Sequence, residues 1–268
     1  MLEAAAKARL GLSVRTTGQS PQAVDNGREN APRCMQCSTR AKCLLSWMSP
    51  AVADRLQQVI VELPVPVGGC VENQGQTASH LTLIKLGYFK AERRRSSGDR
   101  AAVGVLGRGR IGGYAGLFKQ PSVMSLTALT PSRVCQLPIL AVYDHAFVER
   151  DFRQSLYTAI GQHIENMADW CSLVRESNIS KRLMLAFELL AQEEGSRTIR
   201  IPSHQILGEL VVARRESVAR HIGHLFHAGR IIKLDRWRVV LNPPDPMGME
   251  QDPLTEDHKE ERARPVRG

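Results

Sequence analysis

Hydrophobic and polar positions change their period along the chain, and these changes divide it into segments. From Val61 to Leu137, short β-branched and apolar runs are interrupted by glycine and other turn residues at intervals of roughly 8 to 12 residues. This spacing predicts an antiparallel β-roll or jelly roll. Pro64 and Pro66 should lie on an edge strand, because proline cannot donate to a sheet ladder. Upstream, Ser49 and Pro50 are typical of a helix start.

A helical period follows, in which apolar residues recur every three or four positions. This stripe consists of Leu156, Ile160, Ile164 or His163, Met167, Cys171 or Trp170, and Val174, and at the two alternative positions Ile164 and Cys171 are taken as the dimerisation residues. It predicts a long amphipathic helix that has to bury one face. This face could be buried by packing on the β domain of the same chain. We favour a parallel, coiled-coil-like homodimer.

Residues 201–242 predict two short helices followed by two short strands. Ser203 is placed to cap the first helix, and Gly229 is placed to end the second. Two apolar runs around Asp235 and Arg236 read as a hairpin. The pattern is that of a winged helix-turn-helix. The predicted fold class is therefore α+β, with an N-terminal β-roll, a long dimerisation helix and a C-terminal winged helix-turn-helix.

The composition of the two ends of the chain indicates where the folded part begins and ends. The first 33 residues are polar and punctuated by Gly, Pro and Asn, and the last 25 carry almost no large apolar side chains. The predicted segments are a flexible arm (1–33), a cysteine-bearing sensory β-roll (34–147), a dimerisation helix (148–177), the winged helix-turn-helix (178–243) and a disordered tail (244–268).

Hydropathy and charge narrow the class of protein. The chain is 43% hydrophobic, and no stretch reaches the roughly 18 apolar residues that a membrane span requires. We therefore expect a soluble, cytoplasmic protein that makes no use of a membrane. Its net charge of +9 favours a polyanionic partner.

Three of the six cysteines, Cys34, Cys37 and Cys43, are spaced C-x2-C-x5-C. Clustered thiolates select zinc, Cu(I) or iron–sulfur clusters over hard cations. The remaining cysteines are scattered, which favours metal or redox chemistry in a reducing compartment over a disulfide framework. Cys171 lies on the apolar stripe and is expected to be a small buried residue.

The second helix of the helix-turn-helix carries the residues expected to read DNA. Its first turns place Arg214, Arg215, Glu216, Ser217 and Arg220 opposite the apolar face. Arginine can pair with guanine, and a glutamate among arginines favours base reading over simple phosphate attraction. Residues 179–242 contain eleven Lys and Arg against six Asp and Glu, an excess of five positive charges. With Ser203, these residues form the predicted DNA-binding set.

Catalytic signatures are missing from the sequence. His221, His224 and His227 step by three, but no H-E-x-x-H general base accompanies them. We interpret them as packing or phosphate-facing residues. Because the sequence also has no nucleophile elbow or phosphate loop, we expect no enzymatic activity.

The order of these segments, with ARRESVARHIGHL followed by GRIIKLDRWRVVL, resembles the Crp/Fnr family of bacterial transcription regulators over about residues 34–242. The family's R-E-T/S-V-x-R signature corresponds to Arg215, Glu216, Ser217, Val218 and Arg220. Two positions depart from the family: its usual turn glycine is Val212, and its usual Ser/Thr cap is Arg214. The resemblance implies a homodimer that binds an inverted-repeat operator in double-stranded DNA, with RNA polymerase as a further partner.

The resemblance also bears on the signal. Cyclic-nucleotide binders of the family have a G-E-L-G-L-F motif and an Arg-Ser pair, whereas this chain has Tyr114 in place of the acid and no such pair. A cyclic nucleotide is therefore disfavoured. The Fnr branch holds an oxygen-labile 4Fe-4S cluster on three N-terminal cysteines and one in a V-C-E-I-P strand. Residues 134–138 (VCQLP) are similar, so the resemblance implies Cys34, Cys37, Cys43 and Cys135 as ligands.

Several alternatives stay open at this point. Cys70 is the rival fourth ligand, and zinc or a thiol redox switch could replace the cluster. An iron–sulfur electron carrier would also use four cysteines, but it would have no use for a recognition helix. Because the predicted seam, with Ile164 and Met167, contains no carboxylate, the dimer is expected to persist when the cluster is lost.

Overall fold

A computed structural model describes residues 34–146 and 149–242 of the 268-residue chain. The predicted arm (1–33) and tail (244–268) lie outside the described residues. The eight strands of the N-terminal part are β1 (Val61–Val65), β2 (Cys70–Glu72), β3 (His80–Leu86), β4 (Phe89–Arg94), β5 (Arg100–Leu106), β6 (Ile111–Gly112), β7 (Ser125–Ala128) and β8 (Ser132–Pro138). They form two four-stranded antiparallel sheets, ordered β1-β8-β3-β6 and β2-β7-β4-β5. The predicted β-roll is confirmed, and Pro64 does lie on an edge strand, β1.

The helices follow the expected order. They are α1 (Pro50–Gln57), α2 (Ile139–His145), α3 (Arg150–Leu173), α4 (Ile179–Glu194), α5 (His204–Val211) and α6 (Arg215–His227). Asn178 caps α4 by accepting from the backbone N–H of Lys181, and Gly195 ends it in the left-handed region at φ 72°. Among the described residues, no helix is both long and apolar enough to cross a membrane.

The C-terminal part is a winged helix-turn-helix, as the sequence predicts. Three short strands form its sheet, β9 (Thr198–Arg200), β10 (Ile231–Lys233) and β11 (Arg238–Leu241), in the order β10-β11-β9. Asp235 shapes the wing by accepting from the backbone N–H groups of Trp237 (2.7 Å) and Arg238 (2.8 Å). The α+β fold class is confirmed.

One hydrophobic core runs from the β-roll into the helix-turn-helix. Tyr88 and Val105 of the roll share it with Trp170 of α3, Phe187 of α4 and Val218 of α6. The hydroxyl of Tyr88 donates to the carbonyl of Leu190 at 3.3 Å. Because α4 is packed on both sides, it connects the β-roll to the helix-turn-helix.

Candidate functional site

Tight 3₁₀ turns bring the three N-terminal thiols to one side of the chain. Turns at Cys34–Gln36 and Arg40–Lys42 are closed by backbone bonds from Cys37 N to Cys34 O (3.3 Å) and from Cys43 N to Arg40 O (3.0 Å). Side chains three residues apart eclipse each other in this geometry. Cys34, Cys37, Arg40 and Cys43 differ by multiples of three, so the C-x2-C-x5-C spacing suits this winding.

Cys135 approaches these thiols from the sheet. It lies on β8, directly opposite Leu83 of β3 and Glu62 of β1, and opposed residues of antiparallel strands share a face. All four thiols line one small cavity of about 30 Å³. Its other lining residues are Arg40, Leu45, Ser46, Ile60, Leu83 and Lys85.

The cysteine-bearing segment is held to the sheet by polar contacts. The Thr39 hydroxyl donates to the carbonyl of Lys85 at 2.8 Å. Arg108 donates to the Thr39 hydroxyl at 3.0 Å and also to the carbonyl of Ser38. Leu44 and Leu45 are buried in the core beneath. The segment that carries the three N-terminal thiols is therefore held firmly against the sheet.

Burial and mutual repulsion disfavour bare thiolates in this cavity. Burial raises the pKa of Cys43 to about 11 and that of Cys135 to about 12. The pKa of Cys34 is also raised, first by burial and then by the neighbouring Cys37, while Arg40 and Lys85 act in the opposite direction. A bound metal centre would reverse this balance, because coordinating thiols are deprotonated.

The donor set fits a soft metal group. Four thiols line the same cavity as two cations, Arg40 and Lys85, that can offset the charge of a thiolate-ligated centre. Within residues 34–146 and 149–242, no three Cys, His, Asp or Glu side chains are grouped as a single metal ion would require.

The two remaining cysteines lie elsewhere. Cys70 is exposed on β2, where its thiol donates to the carbonyl of Glu72 (3.0 Å), and it does not line the thiol cavity. Cys171 is exposed in the single chain, so the expectation of a buried residue is wrong for the monomer.

The apolar stripe of α3 divides between two surfaces. Leu156 is completely buried in its own chain, and Ile160 is partly packed there, so Leu156 cannot contribute to a partner interface as predicted. Met167 also packs inward, because Gly104 has no side chain: a Cβ there would lie 2.6 Å from Met167 Cε. The exposed face carries Tyr157, Ile164, Cys171 and Val174. Tyr157 lies three residues before Ile160 and seven before Ile164, so it fits the a/d spacing, but the predicted stripe began at its buried neighbour Leu156 instead.

The residue in place of the cyclic-nucleotide acid packs against α3. The ring of Tyr114 meets that of His163 edge-on, with centroids 5.6 Å apart. Burial, and then the nearby Arg110, lower the pKa of His163 to about 4, so it stays neutral at physiological pH. An aromatic pair thus occupies the space between the Tyr114–Phe118 turn and α3.

The predicted DNA-reading residues lie at the start of α6. Arg214, Arg215, Glu216 and Arg220 are exposed, and Ser217 is half-buried, whereas Val218 is fully buried. Arg214 is the N-cap but makes no side-chain capping bond. Ser203 caps α5 by accepting from Ile206 N at 3.4 Å.

The turn between α5 and α6 is closely fitted. A Cβ on Gly208 would lie 2.6 Å from the carbonyl oxygen of Ala213. Arg182 of α4 donates to the carbonyl of Val211 at 2.7 Å. Sequence reasoning missed this contact, because nothing local marks Arg182 as different from other surface arginines. His221 bonds Ser180 at 2.8 Å, as expected of a packing residue.

Comparisons with known proteins agree with this architecture. The family model described as the cyclic nucleotide-binding domain matches residues 64–144. Electron transport regulator A of Shewanella oneidensis is 20% identical over 219 residues, covering 79% of this chain and 88% of that protein. The fumarate and nitrate reduction regulatory protein of Escherichia coli strain K12 shows the same identity and coverage.

Solved structures share the fold at low identity. FixK2 from Bradyrhizobium japonicum superposes with a TM-score of 0.59 at 15% identity, covering 69% of this chain and 93% of that one. TTHB099, a CRP-family transcriptional regulator from Thermus thermophilus, gives a TM-score of 0.53 at 15% identity, with 67% and 91% coverage. These likenesses concern the fold.

Proposed function

We propose that this chain is a transcription regulator of the Crp/Fnr family that binds DNA as a homodimer under the control of a 4Fe-4S cluster. The proposed ligands are Cys34, Cys37, Cys43 and Cys135. The observation that carries the proposal is that these four thiols, from segments about a hundred residues apart, line one cavity. The relatives are regulators rather than enzymes, which supports a regulatory role.

Each part of the site has a defined task. The four thiols would hold the cluster, and Arg40 and Lys85 would offset its negative charge. When bound, such a cluster supplies sensitivity to oxygen or nitric oxide. The apolar wall formed by Leu45, Ile60 and Leu83 limits the access of water to the thiols.

The recognition helix supplies the output. Arg215 and Glu216 occupy the first turn of α6, where side chains of such helices reach base edges. Arg214 and Arg220 add positive charge for phosphate contacts. The exposed face of α3 would join two protomers, so that two recognition helices meet two half-sites about one helical turn apart.

The metal is tested on protein purified without oxygen. We expect visible absorption and about four irons and four sulfides per chain. Cys135→Ala should lose the iron, whereas Cys70→Ala, the matched control, should keep it. Zinc in place of iron would support the structural-zinc alternative. A colourless, iron-free product that binds DNA equally well in air would overturn cluster control.

DNA binding is tested separately by fluorescence anisotropy. Duplexes with inverted TTGA or TGTGA half-sites serve as probes. Arg215 resembles the cyclic-nucleotide branch of the family and the cysteines resemble the Fnr branch, and both favour a half-site with a GA step. Arg215→Ala should weaken specific binding by about 1–3 kcal/mol and relax specificity at one base pair. Equal binding to a scrambled duplex would contradict sequence reading. A protein that binds no duplex but passes electrons would favour the electron-carrier alternative.

A further inference from the structure

The last turn of α4 carries a buried carboxylate, Glu193, for which the proposed function has no role. Its side chain is completely buried. Arg110 donates to it at 2.6 and 2.9 Å, the backbone N–H of Gly107 at 2.6 Å, and Asn166 of α3 at 3.0 Å. A buried charge survives only with such compensation. Glu193 therefore fixes the end of α4 to α3 and to the turn between β5 and β6.

The other side of that turn, residues 107–110 (the bridging turn), contacts the cysteine-bearing segment. Gly109 lies so close to Lys42 that a Cβ on it would be 2.5 Å from Lys42 Cβ. Arg108 donates to Thr39, as described above. The bridging turn is therefore held between the thiol segment on one side and Glu193 on the other.

Lys42 also reaches α4 directly. Its ammonium group donates to the carbonyl of Gln192 at 3.2 Å. A cation at the C-terminal end of a helix is favourable, because it meets unsatisfied carbonyls and the negative end of the helix dipole. Lys42 immediately precedes Cys43 in the sequence. A shift of Cys43, one of the proposed ligands, would therefore move the Lys42 ammonium group.

Between the thiol segment and the end of α4, these polar contacts cross a cavity rather than a packed core. A cavity of about 370 Å³ separates the thiol segment, the bridging turn, α3 and the end of α4. Lys42, Arg108, Arg110 and Gln192 all line it. Across this gap, the direct contacts between the thiol segment and the end of α4 are a few hydrogen bonds that can be removed one at a time, whereas Leu44 and Leu45 share a core with α3.

The other face of α4 carries the recognition helix. Phe187 and Leu190 share a core with Leu207 of α5 and Val218 of α6. Arg182 holds the carbonyl of Val211 at the entrance of the α5–α6 turn. Since packed cores transmit displacement as rigid bodies, movement at the end of α4 reaches α6.

From this geometry we propose a relay within one protomer, in which Lys42 and the bridging turn transmit the state of the thiol site to α4 and so to the recognition helix. Lys42 and Arg108 act as positioning residues. The relay acts in addition to any change at the dimer seam. It rests on the proposed function, since it specifies how the thiol site regulates DNA binding.

The test compares Lys42→Met with Lys119→Met. Lys119 is exposed, and its side chain has no hydrogen bond or ion pair with other described residues. For each protein, the affinity for a duplex with inverted TTGA half-sites is measured with and without the cluster. Lys42→Met should reduce the ratio of the two affinities by about threefold or more, the usual scale for residues on a coupling path. Arg108→Gln should act likewise, and Lys42→Arg should restore the ratio.

A second measurement needs neither cluster nor DNA. Hydrogen–deuterium exchange of the metal-free protein should show faster exchange in the last turn of α4 and in α6 for Lys42→Met, but not for Lys119→Met or Lys42→Arg. Unchanged exchange in α6 would overturn the relay, as would unchanged affinity ratios in Lys42→Met and Arg108→Gln. A wild-type protein without iron would instead contradict the proposed function. The exchange measurement would still show whether Lys42 is coupled to α6.

Discussion

At the residue scale, Val212 stands in an unfavourable backbone conformation. Its φ of 53° lies in the left-handed region, where a β-branched residue is strained, and its side chain is 67% exposed. The backbone N–H of Ala213 still donates to Gly208 O at 2.9 Å, so the turn is kept. The close packing in the α5–α6 turn holds Val212 in the left-handed conformation, although its β-branched side chain disfavours that conformation.

Replacing Val212 with glycine should therefore stabilise the protein. Left-handed backbone costs a non-glycine residue about 1–2 kcal/mol, and the greater freedom of glycine in the unfolded chain offsets part of the gain. We expect a net increase in the free energy of unfolding of about 0.5–1 kcal/mol for Val212→Gly. Denaturant titration measures it, with Val212→Ala as a control that should gain less. A less stable glycine variant would contradict the strain.

Glu92 makes the stability depend on pH. Burial raises the pKa of its carboxyl, but hydrogen bonds from Lys90 and Arg100 outweigh this and leave the pKa below its ordinary value of 4.5. The folded state therefore binds this proton less readily than the unfolded state does. Its stabilisation is complete above pH 4.5 and is lost as the pH falls through the lowered pKa.

Glu92→Gln should reveal this pH dependence. At neutral pH the variant should be less stable than the wild type by about 1 kcal/mol, because Arg100 is largely exposed and its ion pair is screened. The difference should shrink well below pH 4.5. Thermal unfolding at both pH values measures it. A difference that is independent of pH would show that Glu92 acts through packing alone.

At the scale of the element, α3 serves two surfaces at once. Its inner face buries Phe152, Leu156, Trp170 and Leu173 against the rest of the chain. Its outer face leaves Tyr157, Ile164, Cys171 and Val174 exposed at helical spacing. An exposed apolar stripe of this kind requires a partner surface. We therefore expect the residues of the proposed dimer seam to be a subset of the sequence stripe, extended by Tyr157.

Ile164→Glu should convert the protein to a monomer. Ile164 is 63% exposed in the single chain and lies at the centre of the outer face, where a buried carboxylate would lack a partner. Sedimentation velocity measures the mass. Leu140→Glu provides the control, because Leu140 is 77% exposed on α2 and should leave the dimer intact. A dimeric Ile164→Glu variant would place the interface elsewhere.

At the scale of the whole molecule, one continuous core joins the β-roll, α4 and the helix-turn-helix. The thiol site contacts the end of α4 through polar groups at the edge of this core. In the proposed relay, a signal at the thiols reaches α6 without separating the protomers. The carboxylates Glu165 and Asp169 line the neighbouring cavity, so they are directed away from the apolar seam.

We therefore expect the dimer to persist when the cluster is lost. The seam residues Tyr157, Ile164, Cys171 and Val174 carry no charge that would repel a partner. Sedimentation of anaerobic and air-exposed protein should give the same dimeric mass. A Cys171→Ser variant controls for disulfide formation across the exposed seam in air. A clean shift to monomer in air would contradict the prediction.

The sequence by itself determined the order and type of the elements, because period, capping residues and turn glycines act locally. It also placed Arg215 and Glu216 on the exposed start of α6, and it put three thiols at a spacing that suits 3₁₀ turns. These features depend on neighbours within a few residues, which a linear pattern records.

Only the tertiary structure decided the long-range pairings. Cys135 rather than Cys70 faces the other thiols because the register of β8 places it opposite Leu83. Met167 turns inward because Gly104, more than sixty residues earlier, leaves room for it. The Arg110–Glu193 pair joins the β-roll to α4 across more than eighty residues. Such contacts depend on how elements pack in space, and no local period carries that information.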